Sequence, residues 1–97
     1  HLDTVARLGG EEFAILLPET NEAAAKVSAV RLLDAVRSIT VDAAGETLKF
    51  TVSIGCAEFD GACDGVENVL KSADLALYEA KHGGRDRVVT KSSMEAA

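Results

Sequence analysis

Two glycines and two carboxylates stand together near the start of this 97-residue chain, in the run Gly9-Gly10-Glu11-Glu12-Phe13. Adjacent carboxylates offer the hard oxygen atoms that a cation such as Mg²⁺ takes as ligands. A glycine pair lets backbone approach a ligand closely, because no Cβ stands in the way. Val5-Ala6-Arg7-Leu8 precedes the run and Ala14-Ile15-Leu16-Leu17 follows it. Two apolar runs around a Gly-Gly turn form a β-hairpin signature with charge at its tip. An ordinary solvated hairpin turn carries the same residue types, so the five residues alone leave both readings open.

The elements that must position this turn can be read from periodicity. Val5 to Leu8 and Phe13 to Leu17 read as strands. Pro18-Glu19-Thr20 ends the second strand, with Thr20 as the expected N-cap of a helix over Asn21 to Ser38. Ala25, Ala29, Leu32 and Val36 fall on one face of that helix. Val27 and Val30 fall on the other side and suggest a second, partly covered face. Ile39 to Ala43 reads as a short extended piece, and Ala44-Gly45-Glu46 as a turn. Thr47 to Phe59 is rich in β-branched residues and alternates as a strand does. Gly55 inside it marks a bulge or a close backbone approach.

Asp60 to Asp64 is a Gly-rich loop, and Asp64 with Glu67 resembles a capping box. A second helix is expected to about His82, with Val66, Val69, Leu70, Ala73, Leu77 and Ala80 on one face. Gly83-Gly84 supplies a left-handed stop, and His82 reads as a solvated cap residue. Arg87 to Thr90 reads as a last strand, and Lys91 to Ala97 as a frayed tail. The order ββαβαβ predicts helices packed on a mostly antiparallel sheet, an α+β arrangement.

Composition narrows the function. Sixteen acidic residues against ten basic ones give a net charge of −6. That argues against non-specific nucleic-acid binding, which needs a basic surface. It leaves a nucleotide ligand possible, because local cations and a metal outweigh a global field at short range. A hydrophobic fraction of 47% is ample for a core, but with 4% aromatics it must be built from Leu, Val, Ile and Ala. The two cysteines, Cys56 and Cys63, have neither metal-type nor redox-type spacing. Cys56 reads as a buried small hydrophobe, and a reduced cytoplasmic setting is expected. No apolar run approaches the length of a membrane span, and no signal-peptide pattern is visible. A parent protein with sensory or membrane domains is compatible with this.

Four stretches, in this order, resemble the GGDEF domains, the diguanylate cyclases, in the variant with Glu at the third signature position. They are Gly9-Gly10-Glu11-Glu12-Phe13, Thr51-Val52-Ser53-Ile54-Gly55, Ala73-Asp74-Leu75-Ala76-Leu77-Tyr78-Glu79-Ala80-Lys81, and Gly84-Arg85-Asp86-Arg87-Val88-Val89. The resemblance runs from about Asp3 to Val89. It implies a ferredoxin-like fold similar to nucleotidyl cyclases and polymerase palms. In that fold a first strand and two helices precede the signature hairpin, and none of them lies in this chain. Residues 1–90 therefore resemble the C-terminal portion of a single GGDEF domain, with 91–97 as a tail.

The implied activity is condensation of two GTP molecules into cyclic di-GMP, with Mg²⁺ or Mn²⁺ and in a homodimer, for bacterial second-messenger signalling. By the same resemblance Glu11 is the metal ligand and promotes hydroxyl deprotonation, with Glu12 beside it as a catalytic partner. Neighbouring strand residues point to opposite faces, which weakens the case for Glu12. Gly9 and Gly10 admit the nucleotide, and Phe13 belongs to the core. Lys81 and Arg85 match the positions that hold the terminal phosphates of GTP, one as a point charge and the other as a fork. Cations at a helix C-terminus are also favoured by the helix dipole alone. Asp3 matches the Asp of an Arg-x-x-Asp product-inhibition site. Arg31 matches a secondary contact to cyclic di-GMP, and an exposed helix arginine would look the same. The fragment by itself is expected to be inactive, lacking further metal and guanine ligands. The alternative is a non-catalytic module that binds GTP or cyclic di-GMP and regulates a neighbour. A generic ferredoxin-like interaction domain leaves the Gly-Gly-Glu-Glu and Lys81–Arg85 coincidence unexplained.

Overall fold

The structure, a computed structural model, describes residues 4–9, 12–16, 20–59 and 65–95. Its first element is an antiparallel hairpin of β1 (Thr4–Gly9) and β2 (Glu12–Leu16). The strands reach one residue closer to the turn than periodicity suggests, because Gly9 and Glu12 themselves pair. Arg7 pairs with Phe13, so Leu8 has no opposite number and the ladder is irregular there. A bulge of this kind sharpens local twist and re-aims the end of a hairpin.

Helix α1 (Glu22–Arg37) starts one residue later than expected, and its N-cap is Asn21 rather than Thr20. The Asn21 side chain accepts from the Ala24 N–H at 2.8 Å. The Glu22 N–H is satisfied from a distance, by Glu58 Oε1 at 2.7 Å. Both contacts answer the orphan donors of a helix N-terminus. The buried stripe runs through Ala29 and Leu33, not Leu32, which stays 41% exposed. The expected second covered face is also absent: Val27 and Val30 are exposed. The stripe Ala25–Ala29–Leu33–Val36 steps by four, four and three, which holds one line on a helix of 3.6 residues per turn.

The stretch expected as one long strand is two, β4 (Glu46–Lys49) and β5 (Ile54–Cys56). β4 folds back antiparallel on β3 (Thr40–Ala43) across a turn with positive φ at both Ala44 (52°) and Gly45 (82°). That turn geometry matches the twist of the strands it joins. β5 changes partner and pairs parallel with β6 (Val88–Thr90), so residues between the two must redirect the chain. Two of the three ladders are thus antiparallel, and the third is parallel.

Parallel pairing demands a crossover, and helix α2 (Gly65–His82) supplies it, ending where the sequence predicts. Both helices pack on the β5–β6 ribbon. The core is built of small residues. Ala76 and Ala80 are fully buried, and Cys56 and Thr90 join Ala29 and Leu33 in the interior. Leu70, expected on the buried face, is exposed instead, and Ala76 takes the central position. A Cβ at residue 55 would run into Ala73 O and Leu77 N and lie 2.9 Å from Ala76 C. α2 therefore rests on β5 backbone to backbone, and only small side chains fit along that seam.

Lys91–Glu95, expected to fray, forms a short helix α3. Thr90 caps it, with Oγ1 accepting from the Ser93 N–H at 3.2 Å. Ser92 donates to Glu22 Oε1 through its backbone N–H at 3.2 Å and also through its hydroxyl, which ties α3 to the start of α1. Among the described residues no helix is long and apolar enough to cross a membrane.

Candidate functional site

The turn after α2 is the part of the candidate site in which side chains are described. Lys81 lies in the last helical turn, half-buried, and lines a shallow cavity of about 180 Å³ with Asp74, Leu77 and Tyr78. His82 follows it, exposed. Its ring stacks on Tyr78 at 3.8 Å between centroids, and Nδ1–H donates to Tyr78 O at 2.9 Å. The helix closes by Gly83 N–H to Glu79 O at 2.8 Å and Arg85 N–H to Ala80 O at 2.9 Å. The second bond spans five residues, and Gly84 carries φ of 122°, the left-handed exit predicted from Gly83-Gly84.

The left-handed backbone does not end with glycine. Arg85 has φ of 60° and Asp86 φ of 50°. Each residue with a Cβ in that region costs about 1–2 kcal/mol, somewhat less for Asp, whose side chain bonds locally. Such a conformation persists only where the surroundings hold it. Two guanidinium groups do so. Arg37, the last residue of α1, donates Nε–H to Asp86 Oδ1 at 2.8 Å and a terminal N–H to Asp86 O at 3.1 Å. Its other terminal nitrogen lies 3.4 Å from Asp34 Oδ1. Arg87 donates Nε–H to Arg85 O at 3.0 Å. The Arg87 guanidinium also lies under the two glycines: a Cβ at Gly83 would sit 3.1 Å from it, and one at Gly84 closer still. The Asp86 hydrogen bond raises the Arg37 pKa further above its already high ordinary value. The Arg85 side chain is exposed.

Periodicity and turn chemistry do not assign Arg37, Asp86 and Arg87 a role in this turn. Two consecutive non-glycine residues after Gly83-Gly84 carry no local signal of positive φ beyond the tolerance of Asp86. The Arg37–Asp86 contact spans 49 residues, beyond any periodicity.

The remaining expected site residues divide by position. Gly9 and Glu12 are paired across the β1–β2 hairpin, which puts the signature at the turn end of that ladder. Asp3, Gly10 and Glu11 lie outside the described residues. Arg31 is exposed on α1, on the side away from Ala29 and Leu33. Among the described residues no group of three or more His, Cys, Asp or Glu side chains gathers to hold a metal ion. The donors the sequence offers at the signature are Glu11 and Glu12.

Cys56 is buried in β5 as a free thiol. Burial pushes its pKa up, the Glu22 carboxylate adds to that, and Lys26 opposes it. Its chemistry is that of a core residue, as expected.

A family model described as diguanylate cyclase, GGDEF domain, matches residues 1–87. Diguanylate cyclase A of Treponema denticola is 37% identical over 86 residues, covering 89% of this chain and 23% of that protein. Diguanylate cyclase DgcP of Pseudomonas aeruginosa is 44% identical over 86 residues, covering 89% of this chain and 13% of that protein. The chain thus spans less than a quarter of the length of these relatives. Among solved structures, the GGDEF domain of DgcB from Caulobacter crescentus, in complex with c-di-GMP, superposes with a TM-score of 0.83 at 32% identity. The superposition covers 93% of this chain and 54% of that one. The α+β, nucleotidyl-cyclase-like arrangement expected from the sequence is therefore the fold of this chain.

Proposed function

The chain belongs to the GGDEF family of diguanylate cyclase domains, and on that premise we propose that residues 1–90 are the C-terminal portion of a catalytic domain, with 91–97 beyond it. The domain joins two GTP molecules into cyclic di-GMP in the cytoplasm: each 3′-hydroxyl attacks the α-phosphate of the other nucleotide, and pyrophosphate leaves from each. The observation that carries this reading is the unaltered Gly9-Gly10-Glu11-Glu12-Phe13 signature within a family match that reaches from residue 1 to residue 87.

Glu11 would hold the metal and favour loss of the hydroxyl proton, with Glu12 assisting. Gly9 and Gly10 leave room for the nucleotide. Lys81 and Arg85 bind the terminal phosphates and so stabilise the leaving pyrophosphate, whose charge suits a point cation and a guanidinium fork. Mg²⁺ or Mn²⁺, when bound, supplies the positive charge that polarises the attacked phosphate. One further carboxylate and the guanine-reading groups come from elsewhere in the complete domain. Two domains meet as a homodimer, one GTP on each, because the reaction needs two facing nucleotides. Asp3 and Arg31 belong to a product site that restrains synthesis when cyclic di-GMP accumulates.

The test uses the full-length protein with GTP and Mg²⁺, and product separated by chromatography. Glu11→Gln keeps the shape and removes the charge, so synthesis should vanish with circular dichroism unchanged. Near-normal turnover in Glu11→Gln refutes its role. Nucleotide binding without turnover in the wild type makes the protein a regulatory binding module. The 97-residue chain alone should show no turnover above a protein-free control. For Lys81→Ala and Arg85→Ala, calorimetric titration should show GTP affinity falling much more than GMP affinity. Equal losses for both nucleotides would remove the triphosphate assignment.

A further inference from the structure

We infer that Arg37 and Asp86 are positioning residues for Arg85: the Arg37 guanidinium grips both the carboxylate and the carbonyl of Asp86, and thereby sets the turn that aims Arg85 at its ligand. The inference rests on the phosphate-binding reading of Arg85 and extends it to a residue on another element.

Three arginines converge on this turn, and they divide the work. Arg87 holds the Arg85 carbonyl at 3.0 Å. Arg37 holds Asp86 at two atoms, Oδ1 at 2.8 Å and O at 3.1 Å. Arg85, between them, is exposed. A guanidinium that binds a side chain and the carbonyl of the same residue constrains that residue's backbone as well as its carboxylate, because its donors form a rigid fork. Asp86 is the residue that must stay at φ of 50°, next to Arg85 at φ of 60°. If either relaxed to ordinary backbone, the Cα–Cβ direction at residue 85 would change and the guanidinium would leave its place.

Stability is a poor explanation for the contact. The Arg37 and Asp86 side chains are 46% and 37% exposed, and exposed ion pairs contribute little to folding. The same geometry is well suited to fixing an angle. It also joins α1 to the turn after α2, so the phosphate-binding end of α2 is held to a second helix as well as to its own.

The experiment is a mutant cycle on the full-length protein, read by calorimetric titration with GTP and GMP. Arg37→Gln should weaken GTP binding by about 3- to 10-fold, as for coupled residues in one network, and leave GMP within about twofold. In the Arg85→Ala background the same substitution should change GTP affinity by less than about twofold, because its effect passes through Arg85. Asp86→Gly supplies an independent arm. Glycine adopts positive φ freely, so the fold keeps or gains stability in denaturant, yet GTP affinity should fall while GMP affinity holds. A merely structural contact predicts the reverse, lower stability with both nucleotides affected alike. Should Arg37→Gln weaken GTP equally in both backgrounds, Arg37 would be a direct phosphate ligand and the positioning role is overturned. Wild-type GTP affinity in Arg37→Gln and Asp86→Gly, with Arg85→Ala impaired, also overturns it while leaving the Arg85 assignment standing. An unimpaired Arg85→Ala removes both.

Discussion

Gly55→Ala adds one methyl group where α2 rests on β5. The new Cβ would overlap Ala73 O and Leu77 N and lie 2.9 Å from Ala76 C, where ordinary contact begins at 3.4 Å. These are backbone atoms of α2, so no rotamer change relieves the overlap. The helix must instead move off β5 by about 1 Å, a gap that forfeits a quarter to a half of the dispersion energy across it. That movement loosens the packing of Ala76 and Ala80, both fully buried. Overpacking a close-packed site costs about 1–3 kcal/mol, and an immovable neighbour places this case near the upper end, at about 3 kcal/mol. Gly45→Ala is the control. Gly45 has φ of 82°, and a Cβ there would meet nothing within 4 Å, so it isolates the backbone cost. That cost is about 1 kcal/mol. Urea unfolding followed by far-UV circular dichroism separates the two. With a slope of about 1–3 kcal/mol/M, Gly55→Ala should lower the midpoint by about 1–3 M with the slope unchanged. A Gly55→Ala midpoint at or above that of Gly45→Ala would refute the backbone-on-backbone account of the seam.

Three further outcomes follow from contacts already described. Asn21→Ala should destabilise the protein by about 1 kcal/mol and Asn21→Gly by only a few tenths, measured in the same urea assay, because the cap accepts a helix N–H that alanine leaves unpaired. Burial raises the Glu22 pKa, but hydrogen bonds from Ser92 and Thr90 and the charge of Lys91 outweigh it, and the net shift is downward. A carboxylate lowered by folding stabilises the folded state above the ordinary Glu value of about 4.3 and loses that contribution as pH falls through the lowered folded value. An NMR titration of the Glu22 carboxyl should therefore place it below ordinary Glu, and Ser92→Ala should bring it back up; a Glu22 that titrates normally in the wild type contradicts the tether of α3. In a Cys63→Ser background, a thiol reagent at pH 8 should modify Cys56 at least about tenfold more slowly in the folded protein than in urea, since burial both shields it and depletes the thiolate. Equal rates would mean that β5 is not packed as described.

Elements with strong local patterning were legible from residue order. The hairpin flanking Gly9-Gly10, the two helices, and the end of α2 at His82 with a glycine exit all follow from periodicity and turn chemistry. Gly55 was legible as either a bulge or a place of close backbone approach, and the contact with α2 shows the second. What failed were choices between equally apolar residues. Leu32 and Leu33 are neighbours of one type, and only the position of the β5–β6 ribbon selects Leu33 for burial. On α2, Leu70 stays exposed and Ala76 is buried, a choice set by how the helix seats on the β5–β6 ribbon. Thr47 to Phe59 read as one strand because its composition is uniform, while the change of partner from β3 to β6 depends on residues far along the chain.

The site divides in the same way. Sequence alone determined the chemistry on offer: hard oxygen donors at Glu11 and Glu12, small residues at Gly9 and Gly10, and cations at Lys81 and Arg85 around a Gly-Gly exit. Those are properties of residue types and short spacings, and they need no fold to be recognised. Only the tertiary structure decided that Arg85 and Asp86 share left-handed backbone and that Arg37 reaches across 49 residues to hold Asp86. The reason is physical. A side-chain hydrogen bond between distant residues is created by the packing of α1 and α2 on one ribbon, and no local pattern in the chain encodes where two packed surfaces will meet.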